Sequence, residues 1–276
     1  MFNWILVDEI IRNGLKEDIN NIDITTDILI DDESKSVGRM LAKEKGVIAG
    51  LHIVKRVFET LDRDIKVKFN VKDGDKVEKG TVIAQIEGST KAILKGERLA
   101  LNLIQRMSGI ATVSRKYRDL VKDFPVRIVD TRKTTPGLRI LEKYAVRVGG
   151  CYNHRYNLSE AVMIKDNHIE AIGGIKEAII KAKNNLSHTV KIEVEVESIE
   201  ELKEAIEAGA DIVMLDNMSF EDMKKAVEIG KGKVVLEASG GITLDQLAEV
   251  AKTGVDIISV GALTHSAKAM DISLVL

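Results

Sequence analysis

Basic side chains are concentrated in one stretch of a chain that is close to neutral overall. The 276 residues carry a formal net charge of -2, yet residues 130–158 hold six Lys and Arg and one His against only two acids, Asp130 and Glu142. Such a stretch is either a solvated surface or a pocket for a polyanionic small molecule. Arg binds carboxylates through two parallel hydrogen bonds and Lys suits phosphate, so the mixture favours a ligand that carries both groups. The candidates for ligand contact are Arg132, Lys133, His154, Arg155 and Lys165.

Two carboxylates lie at the ends of consecutive predicted strands. Glu195 belongs to "VKIEVEV" and Asp216 ends "DIVMLD", 21 residues further on. Carboxylates at such positions suit ribose hydroxyls, or a Mg²⁺ ion shared with phosphates. A carboxylate pair could also serve glycoside hydrolysis, but that chemistry needs neither glycine loops nor an excess of cations. Glu193 and Glu197 share the face of Glu195 because side chains in a strand alternate, so the choice of Glu195 leaves the other two open.

Glycine follows two late strands directly. Ser239, Gly240 and Gly241 come after "KVVLEA" and open a predicted helix, and Gly261 comes after "VDIISV". Glycine lets backbone N–H groups approach an oxyanion, and a helix N-terminus favours negative charge. The alternative is that these glycines only make tight turns. Because the two loops follow neighbouring strands, the pattern favours the phosphate site that late loops of α/β barrels form.

The elements that must position these residues follow a regular order from about residue 126. Short strands rich in Val and Ile alternate with amphipathic helices, and Glu195, Asp216, Glu237 and Val260 are 21, 21 and 23 residues apart. One strand and one helix per unit predicts a parallel sheet. Six strands can be read. Because polar residues recur at their carboxyl ends, an α/β barrel, in which those ends meet at one mouth, is favoured over an open sheet.

The first hundred or so residues have a different pattern. The segment "VKFNVKDGDKVEKGTVIAQIEG" alternates apolar and polar residues around Gly and Asp turns, which predicts short antiparallel hairpins. A helix is expected from about residue 97 to 122. We therefore expect one domain over residues 1–109 and a second over 110–266, with the tail, about 267–276, returning to the first domain as a strand. A lipoyl-like carrier role for residues 65–95 is a minor alternative.

Composition excludes several classes of protein. The sequence pI of about 6.3 shows no overall excess of basic residues of the kind that nucleic-acid-binding proteins have. No apolar run is long enough for a membrane span, and the N-terminus lacks the basic region of a signal peptide, so a cytoplasmic location is predicted. The single Cys151 excludes an intramolecular disulfide. We interpret it as a buried thiol rather than a nucleophile.

Seven motifs, in order over essentially the whole chain, resemble those of the quinolinate phosphoribosyltransferase family. They are "GERLALNLIQRMSGIAT", "DTRKTTPGLR", "GGCYNHRYNLSEAVMIKDNHI", "IEVEVES", "VMLDNM", "LEASGGI" and "SVGALTHS". The resemblance implies an N-terminal α/β sandwich domain plus an incomplete, seven-stranded α/β barrel. It also implies a pentosyltransferase of NAD biosynthesis, which moves phosphoribosyl from phosphoribosyl pyrophosphate to quinolinate with decarboxylation and uses Mg²⁺. The expected assembly is a homodimer with a shared active site, or a higher oligomer.

The resemblance also implies a role for each site residue. The expected quinolinate contacts are Arg98 from the neighbouring subunit, Arg132, His154, Arg155 and Lys165. The expected contacts of phosphoribosyl pyrophosphate are Thr131, Lys133, Lys165, Glu195, Asp216, Ser239, Gly240, Gly241, Gly261, Ala262 and His265. The expected Mg²⁺ ligands, directly or through water, are Glu195 and Asp216. His265 departs from the family pattern, in which this loop often has Lys.

Two rival functions stay open at this point. Molybdenum-operon paralogues share much of the motif pattern and act on a different acceptor. A non-catalytic phosphosugar-binding protein could keep the same loops and bind phosphoribosyl pyrophosphate without releasing pyrophosphate.

Overall fold

The computed structural model describes residues 2–276, which form two compact units. The first unit comprises residues 2–115, Thr134–Gly150 and Leu263–Leu276, and the second comprises Lys116–Lys133 and Cys151–Ala262. The helices are α1 (Trp4–Asp18), α2 (Ile24–Leu29), α3 (Leu51–Leu61), α4 (Thr90–Leu120), α5 (Arg139–Val148), α6 (Asp166–Ile172), α7 (Ile175–Asn185), α8 (Ile199–Ala208), α9 (Phe220–Gly230), α10 (Leu244–Lys252) and α11 (Ala262–His265). The strands are β1 (Lys35–Ala42), β2 (Gly46–Val47), β3 (Lys66–Phe69), β4 (Lys76–Val77), β5 (Val82–Ser89), β6 (Arg127–Val129), β7 (Val162–Ile164), β8 (Ile192–Val196), β9 (Ile212–Asp216), β10 (Val235–Ser239), β11 (Ile257–Ser259) and β12 (Ile272–Val275). None of the helices in this described part of the chain combines the length and the low polarity that crossing a membrane requires.

The first unit is built on an antiparallel sheet of four strands in the order β12-β1-β5-β3, beside a small β2–β4 pair. The register of β1 with β5 runs from Lys35 opposite Ser89 to Leu41 opposite Val82. The tail returns to this sheet as β12, where Arg39 of β1 lies opposite Val275. The hairpin pattern predicted between residues 66 and 89 is confirmed, because β3 pairs antiparallel with β5.

Helix α4 begins at Thr90, about seven residues before the position predicted from the sequence. The Thr90 hydroxyl hydrogen-bonds to those of Ser34 and Ser36, at 2.9 and 2.8 Å, and thereby fixes the start of the helix. Gly96, a poor helix former, lies in this first part. A Cβ at Gly96 would come within 2.8 Å of Phe58, so close packing explains the glycine and the weak local helix signal.

The compact units divide the chain differently from the expected domains 1–109 and 110–266. Helix α4 runs through residue 109 without a break, and α5, which was expected in the second domain, belongs to the first unit. The Arg106 guanidinium donates to Glu142 of α5 at 3.0 Å and to the carbonyl oxygens of Thr264 and Ala267, at 2.6 and 2.7 Å. Contacts between segments distant in the chain therefore draw α5 and the tail to α4. The return of the tail was predicted, whereas spacing along the chain carries no signal for the position of α5.

The second unit is built on six parallel strands in the order β6-β11-β10-β9-β8-β7. The outermost strands, β6 and β7, are consecutive in the chain but are not paired with each other among the described residues, as expected for an incomplete barrel. The expected number of seven strands is not reached. Tyr152 forms only a single parallel bridge with Val129 at the seventh position, because the next residues turn back to bind Asp130.

The helices of the second unit begin where side chains cap them. The Ser198 hydroxyl accepts from Glu201 N at 3.2 Å and the Ser219 hydroxyl from Asp222 N at 3.1 Å. Thr243 forms a capping box with Gln246. These caps, predicted from the spacing of the residue types, fix where each strand-to-helix loop ends and so shape the carboxyl edge of the sheet.

Candidate active site

The carboxyl ends of the parallel strands bring most of the predicted residues to one edge of the second unit. Asp130 follows β6, Lys165 follows β7, and Glu195, Asp216 and Ser239 lie at the ends of β8, β9 and β10. Parallel strands of a barrel direct these ends to the same side, where enzymes of this architecture build their sites. Two predicted residues, Arg98 and His265, belong instead to the first unit, and both are exposed there.

The three glutamates of β8 and its end differ in burial. Glu193 is 1% exposed, Glu195 is half-buried, and Glu197, just beyond the strand, is exposed. Glu195 accepts a hydrogen bond from the Lys165 ammonium and forms an ion pair with it. The side chain chosen from the sequence therefore lies at the strand end beside a second predicted residue.

Glu193 instead lies deeper in the second unit, with His154 and Glu237. The Nε2 atom of His154 is 3.2 Å from Glu193 Oε2 and 3.6 Å from Glu237 Oε2. The His154 Nδ1 atom accepts a hydrogen bond from the Arg155 backbone N–H at 2.7 Å. Both ring nitrogens are thus engaged inside the protein. The sequence had left the direction of Glu193 open. Glu237 was missed as a neighbour of His154, although an acid inside the apolar run "VVLEAS" was a signal.

The burial of Glu237 changes its acidity. Loss of water, and then the nearby negative charge of Glu193, raise the pKa of Glu237 to about 7, while His154 acts in the opposite direction. One of its oxygens, Oε1, is buried with no hydrogen-bond partner among the described residues. An uncharged carboxyl group costs less to bury than a carboxylate, so the protonated form is favoured up to neutral pH.

Two guanidinium groups lie near each other at the same edge. Burial lowers the pKa of Arg155, and the positive charge of Arg132 lowers it further. Arg155 Nη1 donates to the Ala161 carbonyl at 2.8 Å, and Arg132 and Lys133 are exposed. The Thr131 hydroxyl accepts from Lys133 N at 3.1 Å and stabilises this turn. Like charges held this close are suited to an anion with more than one negative group.

The glycine loop after β10 has an open side and a crowded side. Gly240 and Gly241 have φ angles of +100° and +60°. A Cβ on Gly240 would clash with the Asn217 side chain and lie 2.7 Å from its backbone nitrogen, whereas one on Gly241 would meet nothing within 4 Å. Asn217, with φ +52°, donates from its side chain to Asp216 at 2.9 Å. Asn217, which the sequence reasoning missed, therefore connects the carboxylate of β9 to the loop after β10.

Two groups of side chains have the donor atoms that a metal ion requires. Ligand atoms of His154, Glu193 and Glu237 all lie within 4.8 Å of one another. However, Nδ1 of His154 accepts an N–H, so a neutral ring carries its proton on Nε2, the atom that would have to face the metal. Glu195 and Asp216, both half-buried at the strand ends, have carboxylates accessible to a ligand. Their oxygen chemistry fits Mg²⁺, and the His154 cluster does not fit a metal in this tautomer.

Comparison with known proteins identifies the family to which this arrangement belongs. The family model "Quinolinate phosphoribosyl transferase, C-terminal domain" matches residues 110–275, and the corresponding N-terminal domain model matches residues 23–108. The probable nicotinate-nucleotide pyrophosphorylase (carboxylating) of Bacillus subtilis is 46% identical over 272 residues, which cover 99% of this chain and 94% of that protein. A mitochondrial quinolinate phosphoribosyltransferase (decarboxylating) of Nicotiana glauca is 41% identical over 96% of this chain and 81% of its own length.

Solved structures agree with this match. NadC from Streptococcus pyogenes superposes with a TM-score of 0.96 at 41% identity, covering 100% of this chain and 98% of that one. The nicotinate-nucleotide pyrophosphorylase of Francisella tularensis superposes with a TM-score of 0.95 at 43% identity, covering 99% and 97%. Because both family models and full-length relatives match along the whole motif series, the chain belongs to the quinolinate phosphoribosyltransferase family.

Proposed function

We propose that the protein transfers the phosphoribosyl group of phosphoribosyl pyrophosphate to quinolinate with loss of CO₂. The products are nicotinate mononucleotide, pyrophosphate and CO₂, a step of de novo NAD biosynthesis. The observation that carries the proposal is the match, at 46% identity over 99% of the chain, to a relative named for this chemistry. The paired guanidinium groups and the glycine loop at one edge of the second unit are consistent with it.

The acceptor is a ring with two carboxylates, and the proposal assigns it to Arg132, Arg155 and Lys165. The positive charge of Arg132 contributes to the lowered pKa of Arg155, so a dianion bound between the two would relieve their repulsion. Lys165, paired with Glu195 in the absence of ligand, has a mobile ammonium group that can turn to a carboxylate or phosphate. Arg98 of a neighbouring subunit would complete this pocket.

The donor is assigned to the strand-end residues and the two glycine loops. Lys133 and Lys165 would offset the charge of the pyrophosphate, and Glu195 and Asp216 would bind ribose hydroxyls. The 5′-phosphate would contact the open side of Gly241 and the loop that begins at Gly261. The remaining assigned residues are Thr131, Ser239, Gly240, Ala262 and His265.

The reaction requires these residues to position the substrates and to stabilise charge, and it does not require a nucleophilic side chain. The ring nitrogen attacks the anomeric carbon as the bond to pyrophosphate breaks, so the protein must align the two and stabilise the departing charge. The ribosylated nitrogen is then cationic. When the bond from C2 to its carboxylate breaks, CO₂ leaves, the electron pair stays on C2 beside that nitrogen, and a proton replaces the carboxylate.

Three further parts of the proposal concern Mg²⁺, assembly and location. Mg²⁺ bound with the pyrophosphate would neutralise part of its charge, with Glu195 and Asp216 as the carboxylates that would hold it directly or through water. We also propose a homodimer with a shared active site, because Arg98 is exposed on α4 of the first unit. A cytoplasmic location is proposed on the sequence argument above.

Within the site we propose a division of labour between the two kinds of cation. Arg132 and Arg155 mainly orient the ring, and Lys133 and Lys165 mainly compensate the charge of pyrophosphate. Lys133→Ala should therefore raise the KM for phosphoribosyl pyrophosphate more than that for quinolinate, in steady-state kinetics with each substrate varied. A rise in the quinolinate KM alone would contradict the division.

The main test is incubation of the purified chain with phosphoribosyl pyrophosphate, Mg²⁺ and quinolinate labelled with ¹⁴C in the C2 carboxylate. Release of ¹⁴CO₂ that depends on all three is the expected result. Pyrophosphate formed with some other acceptor, and no ¹⁴CO₂, would assign the chain to the paralogue function. Binding of phosphoribosyl pyrophosphate without any release of pyrophosphate would indicate a non-catalytic protein.

A further inference from the structure

His154 lies where the loop at the site edge meets the interior of the second unit. Its backbone N–H donates to Asp130 Oδ1 at 2.8 Å, directly after β6. Its imidazole extends to Glu193 on β8 and to Glu237 on β10, at 3.2 and 3.6 Å from Nε2. His154 thus contacts a residue directly after β6 and one residue each on β8 and β10, although it lies on no strand itself.

The hydrogen bonds of the ring decide its tautomer. Nδ1 accepts the Arg155 backbone N–H at 2.7 Å, so its lone pair is used and it carries no proton. A neutral imidazole then has its hydrogen on Nε2, which donates toward Glu193 and Glu237. An imidazolium would place a second N–H against that of Arg155. In this arrangement the ring has no N–H to offer a substrate carboxylate, which is the role that the family resemblance implies for it.

The consequence concerns Arg155. Its backbone nitrogen is fixed by His154, and its guanidinium donates to the Ala161 carbonyl at 2.8 Å, so both ends of the side chain are held. Residues that orient a ligand must themselves be held by neighbours whose rotamers are locked. Glu193 and Glu237 are 1% exposed each and provide such a lock for the imidazole.

We propose that His154 is a positioning residue, held by Glu193 and Glu237 as the Nε2–H tautomer, and that it acts by fixing Arg155 rather than by contacting the substrate. This inference rests on the proposed function, because it takes Arg155 as a contact of the acceptor. It adds Glu193 and Glu237, which touch no substrate, to the residues on which acceptor affinity depends.

The kinetic test uses the full chain and the variant Glu193→Leu, which removes the oxygens that accept from His154 Nε2. Loss of the lock should raise the quinolinate KM by about 10- to 100-fold, the size expected for a slightly misplaced contact, and leave the KM for phosphoribosyl pyrophosphate within about twofold. His154→Asn should have a similar effect, and the double variant should be no worse than either single one, because the two residues act as a unit. The matched control is Glu197→Leu at an exposed glutamate four residues along, which should leave both KM values unchanged.

An unchanged quinolinate KM in Glu193→Leu would overturn the proposal. Additive effects of the two substitutions would also overturn it, because they would mean that His154 acts on the substrate independently of Glu193.

The spectroscopic test reports on the tautomer without relying on turnover. The chain has five histidines, so ¹⁵N-histidine labelling with His154→Asn as the assignment control resolves the ring of interest. The expected spectrum shows an unprotonated Nδ1 and a protonated Nε2, unchanged by saturating quinolinate. A protonated Nδ1, or a quinolinate-dependent change of protonation, would overturn the proposal. If the unsubstituted protein released no CO₂ from quinolinate, the proposed function would fail. The spectrum would still show whether His154 is held as the Nε2–H tautomer by Glu193 and Glu237.

Discussion

Glu237 lies between apolar residues in β10, and its buried environment changes the pKa of its carboxyl group. The Glu237 side chain is itself only 1% exposed. Burial raises the pKa of Glu237 from its ordinary value of 4.5 to about 7. The unfolded chain therefore releases this proton at a lower pH than the folded protein does, and the difference makes a testable contribution to stability.

Glu237→Gln should change the pH dependence of unfolding in one direction. Below about pH 4 both states of the unsubstituted protein hold the proton, and the variant should differ little. As the pH rises through 4.5 toward 7, Glu237 ionises in the unfolded state before it ionises in the folded state. The unsubstituted protein therefore becomes less stable over this range, whereas Glu237→Gln has no proton to lose there. The variant should gain on the order of 3 kcal/mol by pH 8, at about 1.4 kcal/mol per pKa unit. Urea unfolding at several pH values measures this, and a difference that stays constant with pH would refute it.

Gly240 is a second residue whose surroundings restrict its type. Gly240→Ala would force a Cβ into Asn217 at a φ of +100°, so the loop must move or Asn217 must release Asp216. We expect the KM for phosphoribosyl pyrophosphate to rise by about 10- to 100-fold. Gly232→Ala is the matched control, because Gly232 has a φ of +77° with nothing within 4 Å of the added Cβ. It should cost about 1 kcal/mol of stability and leave the KM unchanged. Equal effects of the two substitutions on KM would show that strain alone is responsible.

At the scale of elements, one ion pair connects three segments of the first unit. Arg106 of α4 binds Glu142 of α5 and two carbonyl oxygens of the segment before β12. Glu142 is 0% exposed and also accepts from Thr135 N at 3.2 Å. A carboxylate this deep depends on its cation, because without it the negative charge is buried and unpaired.

Arg106→Met should therefore destabilise the protein by about 3–5 kcal/mol, the usual cost of breaking a buried pair from one side. Adding Glu142→Gln to the same chain should recover part of that loss, because the unpaired charge is removed. Arg118→Met, which breaks an exposed pair with Asp119, is the control and should cost less than about 1 kcal/mol. Chemical denaturation compares the four proteins. A loss for Arg106→Met no larger than the control would mean that the pair contributes little.

At the scale of the whole molecule, the residues assigned to the reaction are divided between the two units. Arg98 and His265 belong to the first unit, and the other assigned residues belong to the second. In the proposed homodimer, Arg98 of one chain would complete the site whose other assigned residues belong to the partner chain. A symmetric dimer has two such sites, and each would need an intact residue from both chains.

Mixing of inactive variants tests this assembly. Arg98→Ala and Lys165→Ala should each be nearly inactive, and an equal mixture that has exchanged subunits should recover about a quarter of the activity, since half of the dimers then have one intact site. Lys133→Ala mixed with Lys165→Ala is the control. Its activity should not exceed the mean of the two separate proteins, because one chain contributes both residues to a site. No recovery in the first mixture, with exchange verified, would contradict the shared site.

Local patterns predicted much of the fold and of the site edge. The helix caps at Ser198, Ser219 and Thr243 depend on residues three positions apart, so they could be read directly from the chain. Lys165 and Glu195 were predicted at strand ends because strand length and direction follow from the apolar runs. The early start of α4 could not be predicted, because Gly96 disfavours a helix and only packing against Phe58 offsets that.

The sequence by itself determined the parallel α/β pattern, the motif order of the family and the residue types at the strand ends. These properties depend on neighbours within a few positions, where alternation, capping and turn chemistry act. Only the tertiary structure decided that α5 joins the first unit, that Tyr152 forms no more than a single bridge at the position of a seventh strand, and that His154 meets Glu193 and Glu237. Those contacts join residues 39 and 83 positions apart, and they exist because β8 and β10 both pair with β9, an order of strands that no local pattern encodes.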